Sequence, residues 1–175
     1  AAAVVASAVS GMVTAARAKM DVVGTFTLAL VTAFGGGTLR DVLLERRPLF
    51  WVANKEYVFV TLLLCLPFVY SRRAFAAADA LDRNSTFVDS LGLALFSLTG
   101  VRYALEAGLS PLPAALMGVV TGTFGGVLRD VLVSEVPAIF RPGPLYAAAS
   151  FVGCLVVLAG PHLEVPQAFA DASGF

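Results

Sequence analysis

The chain has 175 residues, of which 58% are hydrophobic and 14% charged, with a mean hydropathy of +0.85 and no net charge. So few charges exclude a disordered chain, and the balance of 12 basic and 12 acidic residues leaves no field to attract nucleic acid. Cys65 and Cys154 lie inside apolar runs, which excludes a disulfide scaffold, and with one histidine they cannot build a zinc site. Composition therefore favours an integral membrane protein.

Six apolar segments follow one another along the chain. A helix needs about 20 mostly apolar residues to cross the hydrocarbon core of a bilayer. The charge-free runs are Ala1–Ala16, Val22–Leu39, Tyr57–Ser71, Ser90–Val101, Ala107–Leu128 and Pro142–Leu163. The last two runs are long enough to span the membrane alone, and the second becomes long enough if it continues to Leu44. The third becomes long enough if Trp51–Glu56 supplies an interfacial turn before it, and we expect the first to be truncated. We predict six spans in an all-α fold, since a chain of this length cannot bury six such helices in a soluble core.

Basic residues in the loops predict an orientation. The loops between spans 1 and 2, 3 and 4, and 5 and 6 carry six of them: Arg17, Lys19, Arg72, Arg73, Arg83 and Arg141. The other two loops carry four: Arg46, Arg47, Lys55 and Arg102. Because basic loops favour the cytoplasm, this excess places the N-terminus outside.

The second and fifth spans carry the same motif 89 residues apart. Residues 32–51 and 121–140 align without a gap and are identical at nine of twenty positions, with a shared core of Gly-Gly-x-Leu-Arg-Asp. Each copy belongs to a unit of three spans, and because three is odd the second unit enters the membrane from the opposite side. We therefore predict inverted repeats over residues 1–83 and 84–160, followed by a C-terminal segment, residues 161–175.

Glycines interrupt both copies at matched positions, Gly35–Gly37 and Gly125-Gly126. Each glycine weakens a helix by about 1 kcal/mol relative to alanine, and an unwound turn at Phe34–Gly37 or Phe124–Gly126 would free carbonyl groups to line a wet cavity. Carbonyl dipoles can replace the hydration shell of potassium, so the backbone at Gly35, Gly36 and Gly125 is a candidate K⁺ ligand set. The alternative is close helix packing through small residues.

An arginine–aspartate pair follows the glycines in each copy, Arg40-Asp41 and Arg129-Asp130. Charges inside a membrane usually face the protein interior or water. Because adjacent residues point to different faces of a helix, the pseudo-symmetry suggests cross-pairing of Arg40 with Asp130 and of Arg129 with Asp41. Such pairs would latch the two helices and set the electrostatics of the path; the alternative is that the side chains snorkel to the nearer interface.

Other polar residues in the spans leave two interpretations open. Asp89 is either an interfacial cap or a carboxylate at the pore mouth. Hydroxyl groups either bond to the carbonyl four residues earlier or face the path; these are Thr32, Thr121, Ser97 and Thr99. The glycine motif lacks Gly-Lys-Ser/Thr and no nucleophile lies beside a base, so we expect no enzyme, no cofactor and no resident metal.

The phrase Gly35-Gly-Gly-Thr-Leu-Arg-Asp-Val-Leu-Leu, then Pro48-Leu-Phe-Trp51, with its degenerate copy Phe124-Gly-Gly-Val-Leu-Arg-Asp130, resembles the prokaryotic TRIC family of trimeric intracellular cation channel homologues. The family is also labelled glycine transporter, and the resemblance covers roughly Ser10–Gly160. It implies a homotrimer in the inner membrane with one pore per protomer, conducting monovalent cations, chiefly potassium. It also implies two inverted three-helix halves, a seventh helix, and a pore lined by glycine-kinked second and fifth helices, here Val22–Leu44 and Leu112–Leu132.

The chain departs from this pattern at three places. We expect the front of the first span to be missing and residues 161–175 to lead toward a seventh helix without forming a span themselves, and Phe124 replaces the first glycine of the second triplet.

Three functions of different classes fit the pattern. A passive potassium-permeable channel is the leading interpretation. A secondary transporter of a small zwitterion such as glycine is the alternative, because inverted repeats with broken helices serve that chemistry equally well. A non-conducting scaffold, in which the glycines only pack helices, is the third. Partners beyond membrane lipids and further copies of the chain are not indicated.

Overall fold

The computed structural model describes the backbone of residues 2–70, 86–141 and 146–159 and the side chains of residues 2–68, 92–141 and 147–159. Within these residues every regular element is helical, which confirms the predicted all-α fold. The elements are α1 (Ala2–Arg17), α2 (Val22–Leu43), the one-turn α3 (Phe50–Ala53), α4 (Lys55–Tyr70), α5 (Thr86–Glu106), α6 (Pro111–Leu132), a 3-10 turn (Ala138–Phe140) and α7 (Tyr146–Ala159). The six predicted spans correspond to the six longer helices, and α3 stands at the predicted interfacial turn. The predicted repeat boundary at residues 83 and 84 and the segment 161–175 lie outside the described residues.

The two longest helices, α2 and α6, have equal length and matched ends. Each has 22 residues. Asp21 begins α2 by accepting a 2.7 Å hydrogen bond from the Gly24 amide, and Pro111 supplies the first turn of α6. Both helices are followed by a residue in the left-handed region, Glu45 at φ 54° and Ser134 at φ 59°. The repeat is therefore one of backbone conformation as well as of sequence.

The outer surface of the bundle is apolar. Among the described helices, α2 and α6 are long and apolar enough to cross a membrane, and α1 and residues 147–159 of α7 are shorter apolar helices. On α4, Phe59 and Leu63 are 69% and 70% exposed, and Val152 and Val156 are exposed on α7. This surface suits contact with lipid, because in water it would form a large apolar patch.

The centre of the bundle consists of α1, α2, α5 and α6, with α4 against α1 and α2 and with α7 against α5 and α6. Gly11 of α1 lies against the backbone of Ala29 in α2, where an added Cβ would come within 2.9 Å of the Ala29 Cα. Gly100 of α5 lies in the same way against Gly118 of α6, at 2.8 Å. Each half therefore packs its first two helices through the same small-residue contact.

The two halves meet where α2 crosses α6. A Cβ added at Gly36 would overlap the Thr121 carbonyl oxygen, and one added at Gly125 would overlap the Thr32 carbonyl oxygen. In each pair a later residue of one helix meets an earlier residue of the other, so the helices run antiparallel. Equivalent spans of the two halves thus point in opposite directions, as inverted repeats require.

The predicted unwinding at the glycines is wrong. Both α2 and α6 are continuous α-helices through Phe34–Gly37 and Phe124–Gly126. A continuous α-helix commits its carbonyl groups to amides four residues later, so the predicted potassium site of freed carbonyls at Gly35, Gly36 and Gly125 is not formed in this conformation. At Gly36 and Gly125 the structure instead has the alternative, close packing through small residues.

Replacing Gly36 or Gly125 with alanine tests this packing. We expect each variant to lower the free energy of unfolding by about 1–3 kcal/mol, because the new methyl group would meet a backbone oxygen that cannot rotate away. Thermal unfolding in detergent measures the effect. Gly153→Ala in α7 is the matched control, since nothing lies within 4 Å of its added Cβ, and it should leave stability unchanged or slightly raised. Equal melting temperatures for Gly36→Ala and the parent protein would contradict the assignment.

Candidate functional site

The Arg40–Asp41 pair lies fully inside the bundle near the end of α2. Arg40 is 1% exposed and Asp41 2%. The Nε and Nη2 groups of Arg40 both donate to Asp41 Oδ1, at 2.9 and 2.7 Å. The other carboxylate oxygen, Oδ2, accepts the backbone amide of Phe50 at 2.7 Å, so Asp41 also holds the start of α3. Both charges are paired and hydrogen-bonded, as burial in a medium of low dielectric constant requires.

The second pair repeats this arrangement near the end of α6. Arg129 Nε donates to Asp130 Oδ1 at 2.9 Å, and Asp130 Oδ2 accepts the backbone amide of Ala138 at 3.0 Å. Arg129 and Asp130 are 8% and 6% exposed, so this pair is buried too. Both pairs are therefore buried in the protein, and their side chains do not snorkel to the interface as the alternative interpretation had it.

The predicted cross-pairing is wrong: each arginine pairs with the aspartate next to it. The geometry of the crossing between α2 and α6 explains this local pairing. Arg40 and Asp130 both follow the crossing on their own helices, and because the helices are antiparallel the two residues lie on opposite sides of it. At about 1.5 Å of rise per residue, these two residues are about 20 Å apart along the helix axes. The long arginine side chain, in contrast, can fold back so that its Nε reaches the adjacent carboxylate.

Each arginine nevertheless connects the two halves through a different partner. Arg129 of α6 donates from Nη1 to the Ser10 hydroxyl of α1 at 2.6 Å. Arg40 of α2 lies over the ring of Tyr103 in α5, with its Cζ 4.4 Å from the ring centroid, and Arg46 lies over the same ring at 3.5 Å. The arginines therefore link α6 to α1 and α2 to α5, which are contacts between different repeats.

A small polar cavity lies beside the helix crossing. It offers about 30 Å³ to the centres of water molecules, enough for one or two waters. Its walls come from α1, α2, α5, α6 and the 3-10 turn, and the lining includes Ser7, Thr32, Thr121, Thr123, Gly126, Arg129 and Ile139. Asp130 also lines it, whereas Arg40 and Asp41 do not, so the cavity lies toward the Arg129 end.

The threonines expected near the path meet at the crossing. Thr32 and Thr121 each donate to the carbonyl four residues earlier, Leu28 at 2.6 Å and Met117 at 2.7 Å. A hydroxyl that donates in this way keeps its lone pairs, so it can still accept from water or contact a cation. The predicted local bond is therefore present in both residues, and both also line the cavity; a role in an ion path stays a prediction.

The remaining candidates divide between the cavity and other places. Gly36, Gly37, Gly125 and Gly126 line the cavity, whereas Phe34, Gly35 and Phe124 face an apolar groove of about 470 Å³ on the opposite side of the crossing. Thr99 donates a hydrogen bond to the Leu95 carbonyl at 2.7 Å, and the hydroxyl groups of Ser97 and Ser150 are hydrogen-bonded to each other at 2.8 Å. Asp89 belongs to α5, but its side chain lies outside the described residues. Among residues 2–70, 86–141 and 146–159, no three histidine, cysteine or acidic side chains come together as a metal site would require.

Sequence reasoning missed several residues of the site. Ser10 and Tyr103 hold the two arginines, Phe50 contacts Gly37, and Thr123 lines the cavity. The offset of 89 residues offered one signal, because it aligns Phe50 with Ile139 and so marks a position where the two halves differ. Nothing in the sequence joins Ser10 to Arg129.

Comparisons with known proteins agree on one family. The family model described as "Glycine transporter" matches residues 1–73 and 86–162. A "UPF0126 membrane protein" of Vibrio cholerae is 42% identical over 147 residues, which cover 83% of this chain and 60% of that protein. The "UPF0126 inner membrane protein YadS" of Escherichia coli K12 is 39% identical over 152 residues, covering 85% of this chain and 70% of that protein. The chain thus spans about three fifths of the first relative's length.

Solved structures give the same result. The TRIC trimeric intracellular cation channel orthologue from Rhodobacter sphaeroides superposes with a TM-score of 0.81 at 35% identity. The superposition covers 98% of this chain and 88% of that one. The predicted resemblance is confirmed by sequence and by fold.

Removing one member of a buried charge pair should be costly. We expect Asp41→Asn to lower the free energy of unfolding by about 3–5 kcal/mol, because Arg40 would stay buried without a counter-charge. Glu106→Gln is the control, since its pair with Arg102 is half exposed and is worth about 0.5 kcal/mol or less. Thermal unfolding in detergent compares the two variants. Similar losses of stability in the two variants would contradict the prediction that burial makes the Arg40–Asp41 pair more important for stability than an exposed pair.

Proposed function

The chain belongs to the TRIC family of membrane proteins, and on that premise we propose that it forms a passive path for monovalent cations, chiefly potassium. The path passes the crossing of α2 and α6, with one pore in each protomer. The observation that carries the proposal is the cavity at this crossing, which residues of both repeats line and to which hydroxyl-bearing and charged side chains contribute. Polar groups at such depth usually mark an ion or substrate pathway.

The cavity has the right chemistry for a weakly held cation. Four of its lining residues carry hydroxyl groups, whose oxygen atoms have lone pairs without a net charge: Ser7, Thr32, Thr121 and Thr123. The only ionised groups beside them, among the described lining residues, are Arg129 and Asp130, and their charges cancel. We therefore expect modest selectivity among monovalent cations, because no ring of one sign surrounds the path.

The cavity at the crossing has room for only one or two waters in the described conformation. Passage needs a wider opening between α2 and α6, where glycine contacts a carbonyl oxygen on both sides.

We also propose that the chain assembles as a homotrimer in the bacterial inner membrane with its N-terminus outside. The name of the Rhodobacter sphaeroides relative describes that protein as trimeric, and the name of the Escherichia coli relative places that protein in the inner membrane. Light scattering of the purified protein in detergent measures its oligomeric state, and labelling of cysteines placed in the loops measures its orientation.

Recording from purified protein in a planar bilayer tests the function. Unitary currents whose reversal potential follows the potassium gradient would support the channel. Saturable glycine uptake into vesicles without unitary currents would instead support the transporter that the family model's description names. Neither current nor uptake from folded protein would favour the non-conducting scaffold.

Gly126→Leu tests the position of the path. Among the described residues, the nearest atom to an added Cβ at Gly126 is Arg129 Nη2, at 3.9 Å, so the first carbon of a leucine meets no close contact and the side chain would project into the cavity. We expect a folded variant whose potassium flux falls by about tenfold or more, since an apolar side chain would displace the water that a cation needs. The control is Gly153→Leu in α7, which lies away from the cavity. Unchanged flux in folded Gly126→Leu would move the path elsewhere.

A further inference from the structure

Two matched glycines have different surroundings. Gly37 and Gly126 occupy equivalent positions of the repeat, one turn before Arg40 and Arg129. A Cβ at Gly37 would press on the Phe50 ring, whose Cδ1 would be 2.9 Å away, whereas the nearest described atom to a Cβ at Gly126 is 3.9 Å away. Among the described residues, the same slot is therefore filled by an aromatic ring in the first half and borders the cavity in the second.

Phe50 is held in this slot from several sides. Its backbone amide donates to Asp41 Oδ2 at 2.7 Å, and Arg40 fixes the same carboxylate through Oδ1. Its ring packs edge-on against Phe34 at 5.8 Å and lies 6.5 Å from the ring of Tyr57. Trp51, the next residue, donates from Nε1 to the Thr38 hydroxyl at 3.1 Å and thereby ties α3 to α2 a second time. Phe50 is 6% exposed.

The second half repeats the hydrogen bond between an aspartate and a later backbone amide, but its residue equivalent to Phe50 has no aromatic ring. Asp130 Oδ2 accepts the Ala138 amide as Asp41 accepts that of Phe50. At the positions equivalent to Phe34 and Phe50, however, the second half has Thr123 and Ile139, and both line the cavity. A polar cavity therefore stands at the Arg129 end, where the Arg40 end has packed aromatic rings.

We propose that Phe50 is the gate of the ion path at the Arg40 end and that the Arg40–Asp41 pair positions it. In the described conformation the ring fills the slot beside Gly37, so this end excludes water and cations, as an apolar constriction does. Opening requires α3 to carry the ring away from α2. The Arg129 end has no equivalent ring among the described residues. The inference rests on the proposed function, because a gate needs a path.

Phe50→Ala tests the gate in vesicles loaded with potassium. We expect the flux to rise by about tenfold or more, because losing the ring weakens the closed conformation relative to the open one. Phe59→Ala is the matched control: it removes the same ring from the exposed face of α4 and should leave flux unchanged. Elution of both variants as a single oligomeric species reports that they fold.

Ile139→Phe tests the same idea in the opposite direction. A ring at this position would supply the second half with the group that it lacks, so we expect flux to fall by about tenfold. Val136→Phe, on an exposed residue of the same segment, is its control. A rise in one variant and a fall in the other would support the gate, since a purely structural role would not change flux with opposite signs. If Phe50→Ala does not fold, the test of the gate rests on Ile139→Phe alone, and an unchanged flux in that folded variant would overturn the gate.

The outcomes separate the gate from the function on which it rests. A conducting parent protein whose flux neither folded variant changes would overturn the gate and leave the proposed function standing. Flux in Phe50→Ala together with a silent parent protein would support both. Absence of flux from the parent and from all folded variants would overturn both.

Discussion

The close approach of two helices is the constraint on which the rest of the structure depends. Gly36 lies against the Thr121 carbonyl oxygen and Gly125 against the Thr32 carbonyl oxygen, so no side chain separates α2 from α6 at their crossing. Lipid provides no hydrophobic force between helices, and such contacts rely on van der Waals packing of small residues. The crossing brings both threonines to one place and leaves a polar cavity beside them. It also sends the two arginines to opposite ends of the bundle.

The charged groups follow from that geometry. An arginine that cannot reach the opposite aspartate must be neutralised locally, and each one pairs with its own neighbour inside the protein. Each arginine also connects the halves: Arg129 donates a hydrogen bond to Ser10, and Arg40 makes a cation–π contact with the ring of Tyr103. Each pair has no net charge and a second carboxylate oxygen that fixes the segment after the helix. Both pairs thus belong to the scaffold that connects the helices, and Arg129 and Asp130 also line the cavity.

Differences between the halves matter as much as their symmetry. The backbone repeats from helix start to helix end, yet the first half places Phe34 and Phe50 where the second places Thr123 and Ile139. The two rings pack against each other in the first half, whereas Thr123 and Ile139 line the cavity in the second. Under the proposed function, this difference in side chains would close the path from one side.

The sequence by itself predicted the six helices, the inverted repeat and the family. The lengths of the apolar runs and the gapless offset of 89 residues can be seen along the chain without coordinates. It also marked the glycines and the Arg-Asp pairs as special. Only the tertiary structure decided that the helices continue through Gly36 and Gly125 and that Arg40 binds Asp41 in place of Asp130. It alone placed Ser10 and Phe50 at the two ends. The physical reason is that the partner of a buried group depends on how helices distant in sequence cross, and spacing along one helix does not contain that information.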